Sequence, residues 1–111
     1  MDSILNSIKK LLGMETDYTA FDTDIIMHIN SVFTILYQLG VGRDPTTPFH
    51  IEDSSSKWVD FIDDGQVELI KSYIYMKVKL IFDPPQNSAL LTAMKETIAE
   101  FEWRGVVSTG V

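Results

Sequence analysis

The segment from Val67 to Pro85, VELIKSYIYMKVKLIFDPP, places the strongest constraint on the fold. It is long enough for a helix, and its apolar residues form two stripes instead of one. The stripes are Val67, Ile70, Ile74, Val78 and Ile81, and Leu69, Tyr73, Met76 and Leu80. A helix of a small soluble protein normally keeps one face for water. We therefore expect this helix to lie at the centre of a bundle, packed on two sides.

Termination signals divide the rest of the chain into three more helices. The predicted bounds are a first helix from an N-cap at Asp2 or Ser3 to Gly13, a second from an N-cap at Asp22 to Gly40, the central helix from Asp63 or Asp64 to Phe82, and a last helix from Asn87 or Ser88 to about Trp103–Gly105. The Asp-Pro-Pro sequence ends the central helix, because a residue before proline leaves the helical region. Phe21 and Ile26 have the spacing of a hydrophobic staple.

Apolar residues recur at helical spacing in these three segments, and this spacing predicts the faces that meet the core. The predicted core residues are Ile4, Leu5, Ile8, Leu11 and Leu12 in the first helix, Ile25, Ile29, Val32, Leu36 and Leu39 in the second, and Leu90, Leu91, Met94, Ile98 and Phe101 in the last.

A long connector, residues 41–64, separates the second helix from the central one. It contains two prolines and three consecutive serines, so we expect it to be the most mobile internal segment. Its segment SSSKWVDFI can form a helical turn that places Trp58, Phe61 and Ile62 against the core. The predicted fold is therefore all-α: residues 1–111 form a single domain, a small bundle of about four helices with a long irregular connector.

Composition and charge narrow the possible functions. The net charge is −7 and the nine Lys and Arg residues form no cluster, which argues against binding to duplex DNA. No apolar run is long enough to span a membrane, and the N-terminal residues do not have the pattern of a secretory signal. The absence of cysteine excludes disulfides and fits a reducing cytoplasm.

No group of residues predicts catalysis, a cofactor or a metal site. His28 has no partner four residues further on, where Val32 stands, and His50 is expected to be exposed. The acidic segment starting at Asp60 resembles a calcium loop only in part, because Ile62 and Lys71 occupy positions that need oxygen ligands. The sequence therefore predicts a protein that is not an enzyme and has no cofactor.

Aromatic residues outside the predicted core indicate a surface for a protein partner. Tyr75 and Phe82 lie on the row of the central helix opposite its first stripe, and Trp103 lies near the end of the last helix. Large aromatic side chains dominate protein interfaces. We predict a protein interface that contains Tyr75, Phe82, Trp103 and Arg104.

The order of several short blocks resembles the head–tail connector proteins of tailed bacteriophages, particularly those of low-GC Gram-positive hosts. The blocks are Ile29-Asn30-Ser31, Gln38-Leu39-Gly40-Val41-Gly42, Trp58, Asp60-Phe61, Phe82-Asp83-Pro84-Pro85 and Glu102-Trp103-Arg104. The resemblance implies a small helical adaptor, made in the bacterial cytoplasm and incorporated into the virion. About a dozen copies would form a ring under the portal, extend a channel through which DNA passes without specific binding, and dock the tail or a completion protein. It implies no membrane partner.

Three alternative functions have weaker support in the sequence. A small acidic helical regulator or inhibitor of a bacterial protein has a similar size and charge. A helix-turn-helix DNA binder would need a basic recognition helix, but the last helix carries Glu96, Glu100 and Glu102. A hydrolase or metal enzyme has no supporting group of residues.

Overall fold

A long central helix organises the fold. The computed structural model describes residues 3–108, except for the side chains of residue 64 and residues 104–108. The helices are α1 (Ile4–Leu11), α2 (Asp22–Gln38), α3 (Trp58–Phe61), α4 (Val67–Phe82) and α5 (Ser88–Ser108), and a 3₁₀ turn (Asp64–Gln66) precedes α4. No β-strand occurs among the described residues, and the fold is all-α as predicted.

The predicted central helix is α4, and it packs against α1, α2 and α5. Its fully or largely buried residues come from both stripes: Val67, Ile70, Tyr73, Ile74 and Val78. Two predicted core residues are wrong, because Leu69 is 60% exposed and Ile81 is 55% exposed. Both lie in terminal turns of α4, where the neighbouring helices leave these two side chains uncovered.

Glycines end α1 and α2 in the same way. Gly13 and Gly40 have φ angles of +86° and +81°, which glycine adopts at little cost. In each case the glycine and the next residue donate backbone hydrogen bonds to the last turn of the helix, as in a Schellman motif. At the other end of α1, Ser3 Oγ accepts a hydrogen bond from the Asn6 N–H at 3.2 Å, so the predicted Ser3 cap is confirmed.

The predicted N-cap of α2 is wrong by one residue. Phe21 occupies the cap position without a side-chain hydrogen bond, and Asp22 is the first residue of the helix. The physical reason is an ion pair, because Asp22 Oδ1 lies 2.8 Å from Lys9 Nζ on α1. The core face of α2 is confirmed, with Ile25, Ile29, Val32 and Leu36 buried and Phe33 beside them.

The connector is attached to the helical core at several points. Asn30 on α2 donates a hydrogen bond to the Ile51 carbonyl and accepts one from the Ile51 N–H, at 2.9 and 2.8 Å. The predicted helical turn is α3, and it buries Trp58 and Phe61, with Ile62 directly after it. Segments between these attachment points are exposed and irregular, and their mobility stays a prediction.

The last helix, α5, differs most from the sequence prediction. It continues to Ser108 instead of ending near Trp103–Gly105, because one glycine costs a helix only about 1 kcal/mol and does not by itself stop it. Of its predicted core residues, Ile98 is buried, whereas Leu90 is 52% exposed and the others are half-buried. The prediction that Leu11 of α1 lies in the core is also wrong, because its side chain is exposed.

Within the described residues, no helix is both long enough and apolar enough to cross a bilayer.

Candidate interaction surfaces

The four residues of the predicted interface have different surroundings. Trp103 is 67% exposed on α5, which makes it the most exposed large apolar side chain among the described residues. Tyr75 and Phe82 are only half-buried and pack against the core, so their row of α4 is not a fully solvated face. The side chain of Arg104 lies outside the described residues. No ring contact between described side chains joins Trp103 to Tyr75 or Phe82.

Phe82 belongs to a line of three aromatic rings that the sequence prediction missed. We call Tyr18, Phe21 and Phe82 the aromatic patch. The Phe82 and Phe21 ring centroids are 5.4 Å apart and meet edge to face, and the Phe21 and Tyr18 centroids are 5.9 Å apart. Tyr18 is 50% exposed and Phe21 41% exposed. The patch combines the loop before α2 with the last residue of α4, and only the tertiary structure brings them together.

A buried lysine fixes the loop that carries two of these rings. Lys9 on α1 is fully buried, and its ammonium donates hydrogen bonds to the backbone carbonyls of Thr16 and Tyr18 at 3.0 and 2.6 Å. The same ammonium is paired with the Asp22 carboxylate. Asp22 Oδ1 is buried without a hydrogen bond of good geometry, so the Lys9 charge is what compensates it. Lys9 therefore helps to fix the backbone of the loop at Thr16 and Tyr18.

An apolar groove of about 480 Å³ lies between α4 and α5. We call it the α4–α5 groove, and its apolar lining consists of Val41, Leu69, Ile70, Tyr73, Met76 and Phe101. The Tyr73 and Phe101 rings stack with centroids 4.2 Å apart and planes inclined by 17°. Polar lining comes from Gln66, Ser72, Thr97 and Glu100.

Polar contacts join the same two helices beside the groove. Tyr73 donates a hydrogen bond of 2.6 Å to Glu102 Oε2, and Lys77 Nζ lies 3.4 Å from that oxygen. Burial raises the pKa of the Tyr73 hydroxyl, and the hydrogen bond to Glu102 and the negative charge of Glu102 raise it further. Tyr73 is therefore a neutral donor at physiological pH that anchors α5 to α4.

The polar groups of the connector have structural partners. Asp44 accepts hydrogen bonds from the side chain and backbone of Thr46 and from the Thr47 hydroxyl, and these lower the pKa of Asp44. Ser55 lowers the pKa of Asp53 in the same way. His50 Nε2 lies 3.8 Å from a Glu52 carboxylate oxygen on the surface. Among the described residues, no three His, Cys, Asp or Glu side chains are placed to hold a metal ion.

These features define a class of protein: a small, acidic helical module with an exposed aromatic patch, an apolar groove and an exposed tryptophan. The comparison with protein families names that class more closely. The family model for phage connector proteins matches residues 4–110, so the chain belongs to the phage connector protein family. The family is structural and not enzymatic. No curated protein and no solved structure matches the chain.

Proposed function

We propose that this protein is a head–tail connector of a tailed bacteriophage, acting as one domain. Copies assemble into a ring of about a dozen subunits beneath the portal, extend the DNA channel and dock the tail or the next completion protein. The single observation that carries this proposal is the family match, which extends over nearly the whole chain. The proposed location is the head–tail interface of the virion, after synthesis in the bacterial cytoplasm.

The exposed apolar surfaces support a role in assembly. A ring subunit needs contacts with its neighbours and with the proteins above and below it, so several separate apolar surfaces are expected. The aromatic patch, the α4–α5 groove and Trp103 are three such surfaces. Phe82 belongs to the patch, and we propose Trp103, with Arg104 and Tyr75, for contact with the other virion proteins.

The negative charge supports the proposed channel. A net charge of −7 on each copy gives an assembled ring a strongly negative field. A negative channel wall repels the phosphate backbone, so DNA passes through the channel without being held by it. The negative charge therefore fits a connector and argues against specific DNA binding.

The test is assembly on the portal of the same phage, observed by negative-stain electron microscopy. We expect a ring of extra density on one end of the portal when the protein is added. The matched variants are Trp103→Ser and Met27→Ser, because both remove a large exposed apolar side chain from a helix. Trp103→Ser should weaken attachment and Met27→Ser should not. Absence of any complex with the portal, at all concentrations, would contradict the proposed function.

A further inference from the structure

We infer that the aromatic patch of one copy docks into the α4–α5 groove of the next copy. This inference rests on the proposed ring and names the two surfaces that form its subunit contact. The occupant of the groove is a second copy of this chain, and the side chains that enter it are Tyr18 and Phe21.

The patch and the groove lie at different places along α4. Phe82 is the last residue of α4, whereas the α4 residues of the groove run from Leu69, in the first turn, to Met76. Six to thirteen residues separate them from Phe82, which is about 9–20 Å at 1.5 Å per residue. Two unlike surfaces on one subunit give a head-to-tail contact, and such contacts close into rings when the rotation between copies allows it.

The shapes of the two surfaces are complementary. The patch projects two half-exposed rings from a loop, and Lys9 holds that loop rigidly by two carbonyls. The groove has about 480 Å³ of space, whereas a cavity of roughly 150 Å³ suffices for a benzene molecule. The stacked Tyr73 and Phe101 rings in its lining offer the edges and faces that an entering aromatic ring prefers.

A charged pair borders the groove. Arg43 lies beside the groove at its Val41 end, and its guanidinium is paired with the exposed Asp63 carboxylate at 3.1 Å. Asp17, exposed, directly precedes Tyr18 in the loop. We place Asp17 of the incoming copy beside Arg43, because the exposed guanidinium has further N–H donors for a second carboxylate.

The area involved favours a ring over a stable dimer. Aromatic side chains bury roughly 150–250 Å² each, so the exposed fractions of Tyr18 and Phe21 amount to about 140–230 Å². A stable pair of proteins buries roughly 800 Å² per partner. One such contact is too small to hold a dimer, but every subunit of a closed ring makes two, one through its patch and one through its groove.

Cross-linking between single-cysteine variants tests the contact, because the chain has no native cysteine. Tyr18→Cys and Leu69→Cys are mixed at high protein concentration in moderate salt and treated with a short bismaleimide. The matched control is Met27→Cys mixed with Leu69→Cys, since Met27 is an equally exposed apolar residue outside both surfaces. We expect a covalent dimer in the first mixture only, and in neither variant alone.

The double variant Tyr18→Cys/Leu69→Cys distinguishes a head-to-tail chain from a two-fold dimer. Head-to-tail docking gives a ladder of covalent oligomers that ends at one closed size. A ladder that stops at the dimer, or cross-linking of either single variant with itself, overturns the inference. Absence of cross-linking also overturns the inference if sedimentation shows that the copies associate. The inference fails as well if the copies associate under no condition.

A charge in the groove supplies a second readout. Leu69→Asp should weaken self-association on the order of 100-fold, since it places a carboxylate where the rings would be buried, and Met27→Asp should leave it unchanged. Both positions are exposed, so neither variant is expected to unfold the monomer. Equal association of the two variants overturns the inference. If portal-bound rings still form with Leu69→Asp, the groove contact is wrong but the connector function stands; if wild-type protein forms no portal complex, the function itself fails.

Discussion

At the scale of single residues, Lys9 shows how one buried charge determines a surface. A buried ammonium is costly unless it is paired and hydrogen-bonded. Lys9 has two carbonyl acceptors and a carboxylate, all contributed by residues 16–22. The side chain therefore connects α1 to the loop and to the start of α2, and it fixes the backbone at Tyr18.

Replacing Lys9 by Met should destabilise the protein by about 3–5 kcal/mol, because the Asp22 carboxylate and two carbonyls lose their partner. Urea denaturation measures the loss. The control is Lys10→Met, at the neighbouring exposed position, which should change the free energy of unfolding by no more than about 0.5 kcal/mol. A loss below about 1 kcal/mol for Lys9→Met would show that the loop is not held by this contact.

Two isoleucines of α4 show that the hydrophobic pattern of a helix does not by itself determine which residues are buried. Ile74 and Ile81 belong to the same sequence stripe, but Ile74 is fully buried and Ile81 is 55% exposed. We expect Ile74→Ala to cost about 2–5 kcal/mol, since it leaves a cavity in a small core, and Ile81→Ala to cost less than about 1 kcal/mol. Chemical denaturation of the two variants is the measurement. Equal losses would mean that the two positions are buried alike.

At the scale of elements, α5 is attached by few side chains. Among its described residues only Ile98 is buried, and Met94 and Phe101 are half-buried against the core. A ring stack, a hydrogen bond and an ion pair add to these contacts, through Tyr73, Phe101, Glu102 and Lys77. An element with so few buried contacts belongs to the less stable part of a structure. We therefore expect the attachment of α5 to be sensitive to solution conditions.

The Tyr73–Glu102 hydrogen bond makes that attachment sensitive to alkaline pH. The pKa of Tyr73 is raised in the folded protein above its ordinary value of about 10. The neutral phenol therefore stabilises the fold fully below about pH 10, and this contribution is lost as the pH rises from there through the folded pKa. We expect the urea midpoint of the wild type to fall more steeply between pH 8 and pH 11 than that of Tyr73→Phe. Parallel profiles would contradict the assigned role, since the variant keeps the ring but has no hydroxyl to ionise.

The connector should show an alternating pattern of hydrogen exchange. The amides of Ile51 and Ile62 donate hydrogen bonds to the Asn30 side chain and the Trp58 carbonyl, so we expect them to exchange slowly. Most amides of residues 44–49 and 52–55 lack such attachment to the core and should exchange fast. Asn30→Ala should remove the protection at Ile51. Protection throughout residues 41–64 equal to that of α2 would contradict the expected mobility.

At the scale of the whole molecule, we expect charge and contact area together to control the proposed assembly. Burial of the Tyr18 and Phe21 surface in the proposed contact would give roughly 3–6 kcal/mol per contact at about 25 cal/mol per Å². Association itself costs an estimated 4–15 kcal/mol. Two copies of charge −7 also repel each other at low salt. The balance for an isolated pair is therefore close to zero or unfavourable.

We expect the isolated protein to be mainly monomeric at micromolar concentration in light scattering. Larger species should grow as the concentration or the salt rises, because salt screens the repulsion between copies. A portal would hold neighbouring copies at high local concentration and make ring closure favourable. A stable closed ring at nanomolar concentration without portal would contradict the need for a template, and would leave the connector assignment intact.

The sequence by itself determined the helices, because their signals are local. The double stripe of residues 67–82 predicted the central helix, and the glycines at 13 and 40 predicted where α1 and α2 end. The aromatic residues of the connector predicted α3 and its packing. The order of the blocks also predicted the family. Each of these depends on spacing along the chain, or on conformational preferences that a short segment carries alone.

The tertiary structure decided which apolar residues remain exposed and which surfaces they form. Nothing local shows that Ile81 is exposed while Ile74 is buried, or that Lys9 would leave solvent to hold Thr16 and Tyr18. The aromatic patch and the α4–α5 groove each combine residues far apart in sequence. Burial depends on how far each helix extends over its neighbours, and a helical period repeats in the same way whether or not another helix covers it.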